Sequence, residues 1–150
     1  TSALVDTVGR FDLFQRTAQW ISPIDNETYS EADKATFRAD PAKLEAVRAE
    51  ANRNFELFSN AVIDADSDEM KEVEAACLAN LEDNVRDPEL REKLRPGYRA
   101  ACKRLIFSPD FYEAIQHPNA NLVTAGIERV EPGGVRTSDG VLHELDVLQP

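Results

Sequence analysis

A chain of 150 residues in which 42% are apolar is one domain's worth of polypeptide, long enough for one modest core. Its net charge is −11, and 19 of the 28 acidic but nine of the 17 basic residues lie from Asp25 to Leu94, so that stretch alone carries −10; such a surface repels phosphate backbones and anionic lipid and argues against nucleic-acid and membrane partners. No run approaches the ~20 apolar residues of a membrane span, no secretory or lipidation signal is visible, and two cysteines without a Cys-His cluster read as reduced thiols and not as a metal site, so the expected setting is the cytoplasm.

The first predicted element is a strand over Arg10 to Gln15, alternating enough to be half buried. It ends by presenting a fixed cation, Arg16, at its carboxyl end, which is where α/β folds bind nucleotides. In a dinucleotide-binding βαβ unit the residue at the end of the second strand faces the adenosine ribose. A carboxylate there suits the 2′-hydroxyl of NAD, and an arginine suits the 2′-phosphate of NADP. Here the strand ends in Gln15-Arg16 without a carboxylate; Arg16 can pair bidentately with a phosphate, and Thr17 adds a hydroxyl donor. The charge logic points to NADPH. An arginine after a strand is equally at home in solvent, so the motif needs support from elsewhere in the chain.

The acidic stretch reads as helical. A short helix is predicted from Ser30 to Ala39. Asp40-Pro41 then supplies an N-cap and a proline at the first helical position, followed by Leu44, Val47, Ala51, Phe55, Phe58 and Val62 at spacings of three and four. Asp66 with Glu69 offers a second capping-box start, after which Met70, Val73, Cys77 and Leu81 repeat the period. Another short helix is expected from Pro88 to Leu94. Both apolar stripes are read as core-facing.

After Pro96-Gly97 the pattern returns to α/β, opening with Cys102-Lys103-Arg104-Leu105-Ile106. Pro109 to Gln116 suits a short helix and Asn121 to Thr124 a buried strand. Ile127 to Val130, Gly134 to Thr137 and Val141 to Val147 suit an antiparallel meander joined at Pro132-Gly133-Gly134 and Asp139-Gly140. Pro132-Gly133-Gly134 has no following helix and is not a phosphate loop. His117 in a turn and His143 in a strand are assigned structural roles.

Taken in order, Phe14-Gln15-Arg16-Thr17-Ala18-Gln19-Trp20, the acidic helical stretch, Val85-Arg86-Asp87-Pro88-Glu89-Leu90, Cys102-Lys103-Arg104-Leu105-Ile106, Asp110-Phe111-Tyr112, Pro118-Asn119 and Gly134-Val135-Arg136-Thr137 closely resemble the Baeyer–Villiger monooxygenases, FAD- and NADPH-dependent relatives of the flavin-containing monooxygenases. The resemblance runs from Gly9 to Leu148. It implies an α/β fold in which a partial Rossmann-like NADPH-binding domain, residues 1–24 and 95–150, is interrupted by an α-helical insertion, residues 25–94, lying over the cofactor and substrate cleft. It also implies that Lys103 joins Gln15, Arg16 and Thr17 around the NADP 2′-phosphate. Arg104 then reaches toward the flavin as the catalytic cation, since an arginine stays charged in a dry site where a lysine can neutralise. The implied reaction converts a ketone and O2 to an ester or lactone, with an FAD domain of the same protein as partner.

The chain also departs from the family pattern. It begins at Thr1-Ser2-Ala3 without the glycines of the expected turn, and Leu4 to Val8 is short for the helix that should follow. Leu145-Asp146-Val147-Leu148 resembles a strand that leads into a family segment beyond Pro150. The FAD glycine fingerprint and the F-x-G-x-x-x-H-x-x-x-W signature are absent from it, and the expectation is an internal fragment, inactive alone. Two alternatives stand beside this reading: a flavin monooxygenase that oxygenates nitrogen or sulfur, and an acidic helical remnant or interaction module in which Lys103-Arg104 is bound by the acidic helices or lies in solvent.

Overall fold

A computed structural model describes residues 1–24 and 28–149. The boundary expected between residues 24 and 25 therefore lies at the edge of the described residues, and Asp25 lies outside them. After a four-residue helix α1 (Ser2–Val5), the strand β1 (Phe11–Phe14) pairs in parallel with β4 (Ala120–Val123), Phe11 opposite Ala120 and Phe14 opposite Val123. The two strands are more than a hundred residues apart in sequence, and the helical segment lies on the connection between them. A second parallel pair joins β2 (Ile21–Ser22) to β3 (Ile106–Phe107). The expected meander is present as β5 (Ile127–Glu131), β6 (Gly134–Thr137) and β7 (Leu142–Glu144), antiparallel throughout, with an irregularity between Ile127 and Arg129. The chain is thus mixed α/β.

The helices begin where capping chemistry places them. Helix α2 (Glu31–Ala39) opens on a full capping box: the Ser30 hydroxyl accepts from the Asp33 amide at 3.1 Å, and the Asp33 carboxylate accepts from the Ser30 amide at 3.0 Å. Asp40 caps α3 (Pro41–Ile63), with Pro41 in its first turn, as the sequence indicates. The start of α4 (Asp68–Asn84) is a correction. Its N-cap is Ser67, whose hydroxyl accepts from the Met70 amide at 3.1 Å, one position beyond the expected Asp66. Asp66 is drawn away by Arg99, to which it pairs at 3.0 Å. Helix α5 (Pro88–Lys93) is capped by Asp87, and α6 (Phe111–Ile115) completes the set.

The core has two parts, and α4 runs through both. Met70 and Cys77 pack with Trp20, Ala61, Ala100 and Leu105, while Leu81 packs with Ile21, Val85, Leu94, Tyr112 and Ile115. The stripe read from Met70 to Leu81 is therefore core. The stripe read along α3 is not. Phe55 is 70% exposed and Val47 and Val62 are also exposed, while Ala61 is buried and Phe58 partly so. This helix packs mainly on α2 and α4, with Phe58 also edge-on to Phe107 of β3 at 6.5 Å, and its buried contact with α4 falls at the small Ala61, off the predicted line. A second correction concerns β4, where only Val123 is fully buried and Asn121 is exposed, so the strand is half covered.

Candidate functional site

Parallel pairing of β2 with β3 assembles the site. Ile21 lies opposite Ile106, and the Ile106 amide donates to the Trp20 carbonyl at 3.0 Å, so the segments just upstream of each strand, 15–19 and 98–104, run side by side. Trp20 fastens them: its indole Nε1 donates to the Tyr98 carbonyl at 2.7 Å from a buried position. Arg16, Thr17 and Lys103 consequently line one cavity of about 430 Å³, together with Gln15 and Gln19. Two cations and several neutral donors face this space, and among the described residues no carboxylate lines it. The donor set fits a phosphate group.

Each sequence-predicted residue has a definite place. Arg16 is exposed, and among the described residues it makes no ion pair. Thr17 is half buried, and its carbonyl accepts from Gln19 Nε2 at 3.2 Å. Gln15 lines the cavity, but its Nε2 donates to the Lys93 carbonyl at 3.0 Å, which commits that donor to the end of α5. Lys103 stands with Nζ 4.7 Å from the centre of the Tyr98 ring, a cation–π arrangement that restrains the chain without neutralising the charge. Arg104 is exposed, between Lys103 and the buried Leu105, and is not among the residues lining this cavity. The structure brings Lys103 to Arg16 and Thr17 and leaves Arg104 outside that group.

The acidic helices bind other cations. Arg99 pairs with Glu74 at 2.7 Å and with Asp66, and Arg91 and Arg95 both pair with Glu82. Neither Lys103 nor Arg104 takes part in an ion pair among the described residues.

The strand that leads to Arg16 is held from below. Asp12, whose side chain is fully buried, accepts from Arg10 at 2.9 and 2.8 Å and lies 2.9 Å from His143 Nδ1 on β7. Burial alone would raise the Asp12 carboxyl, but hydrogen bonds from Arg10, His143 and Asn121 outweigh it and hold the group below the ordinary carboxylate range. The His143 ring meets Phe14 edge-on at 5.2 Å. Gly134 permits this arrangement: a Cβ there would stand 2.0 Å from the His143 carbonyl oxygen. Asn119 ties α1 to β4 by donating to the carbonyls of Val5 and Val8.

Sequence reasoning missed Gln19, which lines the cavity, Tyr98, which stands under Lys103, and Glu74, which accepts from Arg99 and the Ala100 amide, none of which matches a binding pattern. The lone tryptophan, Trp20, was the available signal for where the two segments join. A second cavity of similar size is lined by Asn80, Asn84, Arg86, Tyr112 and Gln116. Its amides are spent internally, as Gln116 donates to the Asn84 and Tyr112 carbonyls and accepts from the Arg86 amide.

Comparison with known proteins finds this architecture similar to part of several monooxygenases. The chain is 43% identical over 145 residues to an uncharacterized monooxygenase of Mycobacterium tuberculosis, covering 97% of this chain and 29% of that protein. It is 34% identical over 141 residues to a Baeyer-Villiger monooxygenase of Streptomyces coelicolor, covering 94% of this chain and 27% of the relative. Its fold superposes on the open crystal structure of cyclohexanone monooxygenase with a TM-score of 0.75 at 26% identity, over 97% of this chain and 35% of that one. No protein-family model matches. Over the residues it spans, the chain is similar to proteins named Baeyer-Villiger monooxygenase, and it spans less than a third of the length of these curated relatives.

Proposed function

We propose that this chain forms the NADPH-binding part, with its helical insertion, of an FAD- and NADPH-dependent monooxygenase that inserts oxygen into ketones to give esters or lactones. The observation that carries the reading is the cavity in which Arg16, Thr17 and Lys103 converge from segments almost ninety residues apart, with no carboxylate in its lining among the described residues. A relative named Baeyer-Villiger monooxygenase and others named FAD-binding monooxygenases support the reaction class and the flavin. Residues 1–24 and 95–150 then act as a Rossmann-like cofactor domain, for which the parallel pairing of β1 with β4 is support, and residues 25–94 as the insertion.

In this reading FAD and NADPH supply the redox chemistry when bound, and the chain's own residues bind and orient. Arg16 takes the 2′-phosphate through its planar fork, Thr17 donates its hydroxyl at the same place, Lys103 adds a second charge, and Gln15 closes the strand end. Arg104 is assigned the support of negative charge that builds near the flavin, a role for which it keeps a permanent charge not spent on an ion pair among the described residues. The chain alone, without the FAD fingerprint, is inactive, and the enzyme works in the cytoplasm on a small ketone and O2.

Kinetics of a protein spanning the full length of the relatives and containing this chain test the proposal. Arg16→Ala should raise the NADPH KM by roughly 10- to 100-fold, the loss expected for a hydrogen-bonded charge pair, and leave NADH kinetics nearly unchanged. Equal losses with both cofactors contradict the assignment. Products that are N- or S-oxides with no ester or lactone from any ketone would move the enzyme to the neighbouring class.

A further inference from the structure

The segment that delivers Lys103 to the cavity contains an unfavourable residue. Ala101 has φ +62°, the left-handed region that a side chain disfavours, and it stands two residues before Lys103. A conformation of this kind persists only where its surroundings enforce it. The enforcement comes from α4. One oxygen of Glu74, Oε1, accepts from Arg99 Nε at 2.7 Å and from the Ala100 amide at 2.9 Å, so a single carboxylate grips the two residues immediately before Ala101. Glu74 is only 18% exposed. Arg99 is held further by Asp66 and by the Ala65 carbonyl, and the Cys102 amide donates to the Arg99 carbonyl at 3.3 Å, closing a turn around Ala101. Beneath the turn, Ala100 is buried against Met70 and Cys77 of the same helix.

We propose that Glu74 is a positioning residue for the cation-lined cavity: from the helical segment it holds Ala101 in its left-handed conformation and thereby sets Lys103 beside Arg16 and Thr17. The inference rests on the reading that this cavity takes the 2′-phosphate of a dinucleotide. It makes the place of α4 a determinant of cofactor choice. Without the grip, Ala101 relaxes toward ordinary backbone angles and Lys103 turns away from the cavity.

The test compares calorimetric binding of adenosine 2′,5′-bisphosphate and adenosine 5′-monophosphate to the full chain, two probes that differ by the 2′-phosphate. The unaltered chain should prefer the bisphosphate by about tenfold or more. Glu74→Ala should bring that preference to within about threefold with monophosphate affinity unchanged, as judged against the same charge-pair scale. Glu74→Gln, which keeps an acceptor for the Ala100 amide, should fall between them and carries the test if the alanine variant does not fold. Adding Ala101→Gly to Glu74→Ala should restore much of the preference, because glycine adopts the left-handed conformation without being gripped. A merely structural Glu74 would weaken both probes alike, and that result overturns the proposal. So does failure of Ala101→Gly to rescue. If Arg16→Ala and Lys103→Ala abolish the preference while both Glu74 variants retain it, the positioning role falls and the reading of the site stands. No preference in the unaltered chain, or one indifferent to Arg16 and Lys103, overturns the site reading and this inference together.

Discussion

Carboxylate, imidazole and guanidinium meet at Asp12, and their geometry makes the base of the site sensitive to acid. Asp12 is held below the usual carboxylate range in the folded chain, so its contribution to stability is fully present above the pKa of the unfolded chain and is lost as pH falls through the lower, folded value. Urea unfolding followed from about pH 6 down to about pH 2 should therefore show stability falling below about pH 4. Asp12→Asn, which cannot ionise, should be less stable at neutral pH and show a shallower fall. An unchanged slope would mean that Asp12 does not couple folding to protons. His143 was legible as a strand residue with a structural role, but its partner was not, because Asp12 lies 131 residues away and only the approach of β7 to β1 brings them together. For the same reason Arg16 and Thr17 were readable from the strand end and the resemblance, whereas Glu74, a helix-surface glutamate by pattern, becomes informative only when Arg99 and Ala100 fold back onto it.

At the scale of elements, capping chemistry and periodicity were informative where neighbours cover the helix and misleading where they do not. The stripe of α4 meets partners along its whole length. The equally regular stripe of α3 is left largely in water at Val47, Phe55 and Val62, and among the described stripe residues it is Phe58 that reaches the core. Substitution should separate the two. Leu81→Ala, at a fully buried position, should cost about 2–5 kcal/mol in denaturant unfolding, and Ser67→Ala, which removes the cap of α4, about 1 kcal/mol. Phe55→Ala should stay within about 0.5 kcal/mol of the unaltered chain. A large loss at Phe55 would show that α3 packs along its predicted face after all. The one-residue shift of the α4 cap has a similar origin: Asp66 and Ser67 are both competent caps, and Arg99, distant in sequence, takes the carboxylate.

For the whole molecule, charge and connectivity act together. The segment 25–94 carries most of the net negative charge, and its acids are met by Arg91, Arg95 and Arg99, which lie at its end and just beyond. That leaves the two cations of the cavity facing an opening without carboxylates among the described residues, a local electropositive site on an acidic protein. The α/β class and the order of β1, the helices α2 to α6 and the strands β4 to β7 could be read from the sequence, whereas α1, β2 and β3 could not. Pairing could not, since β2 and β3 have two residues each and carry no pattern of their own, yet their register is what aligns Arg16 with Lys103.

We propose that the neighbouring cations divide by function, Lys103 to cofactor binding and Arg104 to the oxygenation step, since Lys103 lines the cavity and Arg104 does not. The measurement that tests it most directly is the yield of ester or lactone per NADPH oxidised, in a protein of the relatives' full length carrying Lys103→Ala or Arg104→Ala. With Lys103→Ala the NADPH KM should rise while the yield at saturation stays near that of the unaltered enzyme, because a binding contact acts on ground and transition states alike. With Arg104→Ala, NADPH should still bind, but the yield should collapse and the oxidised NADPH should be accounted for as hydrogen peroxide. Conversion of ketone at a near-normal yield and rate by the Arg104 variant would contradict the account.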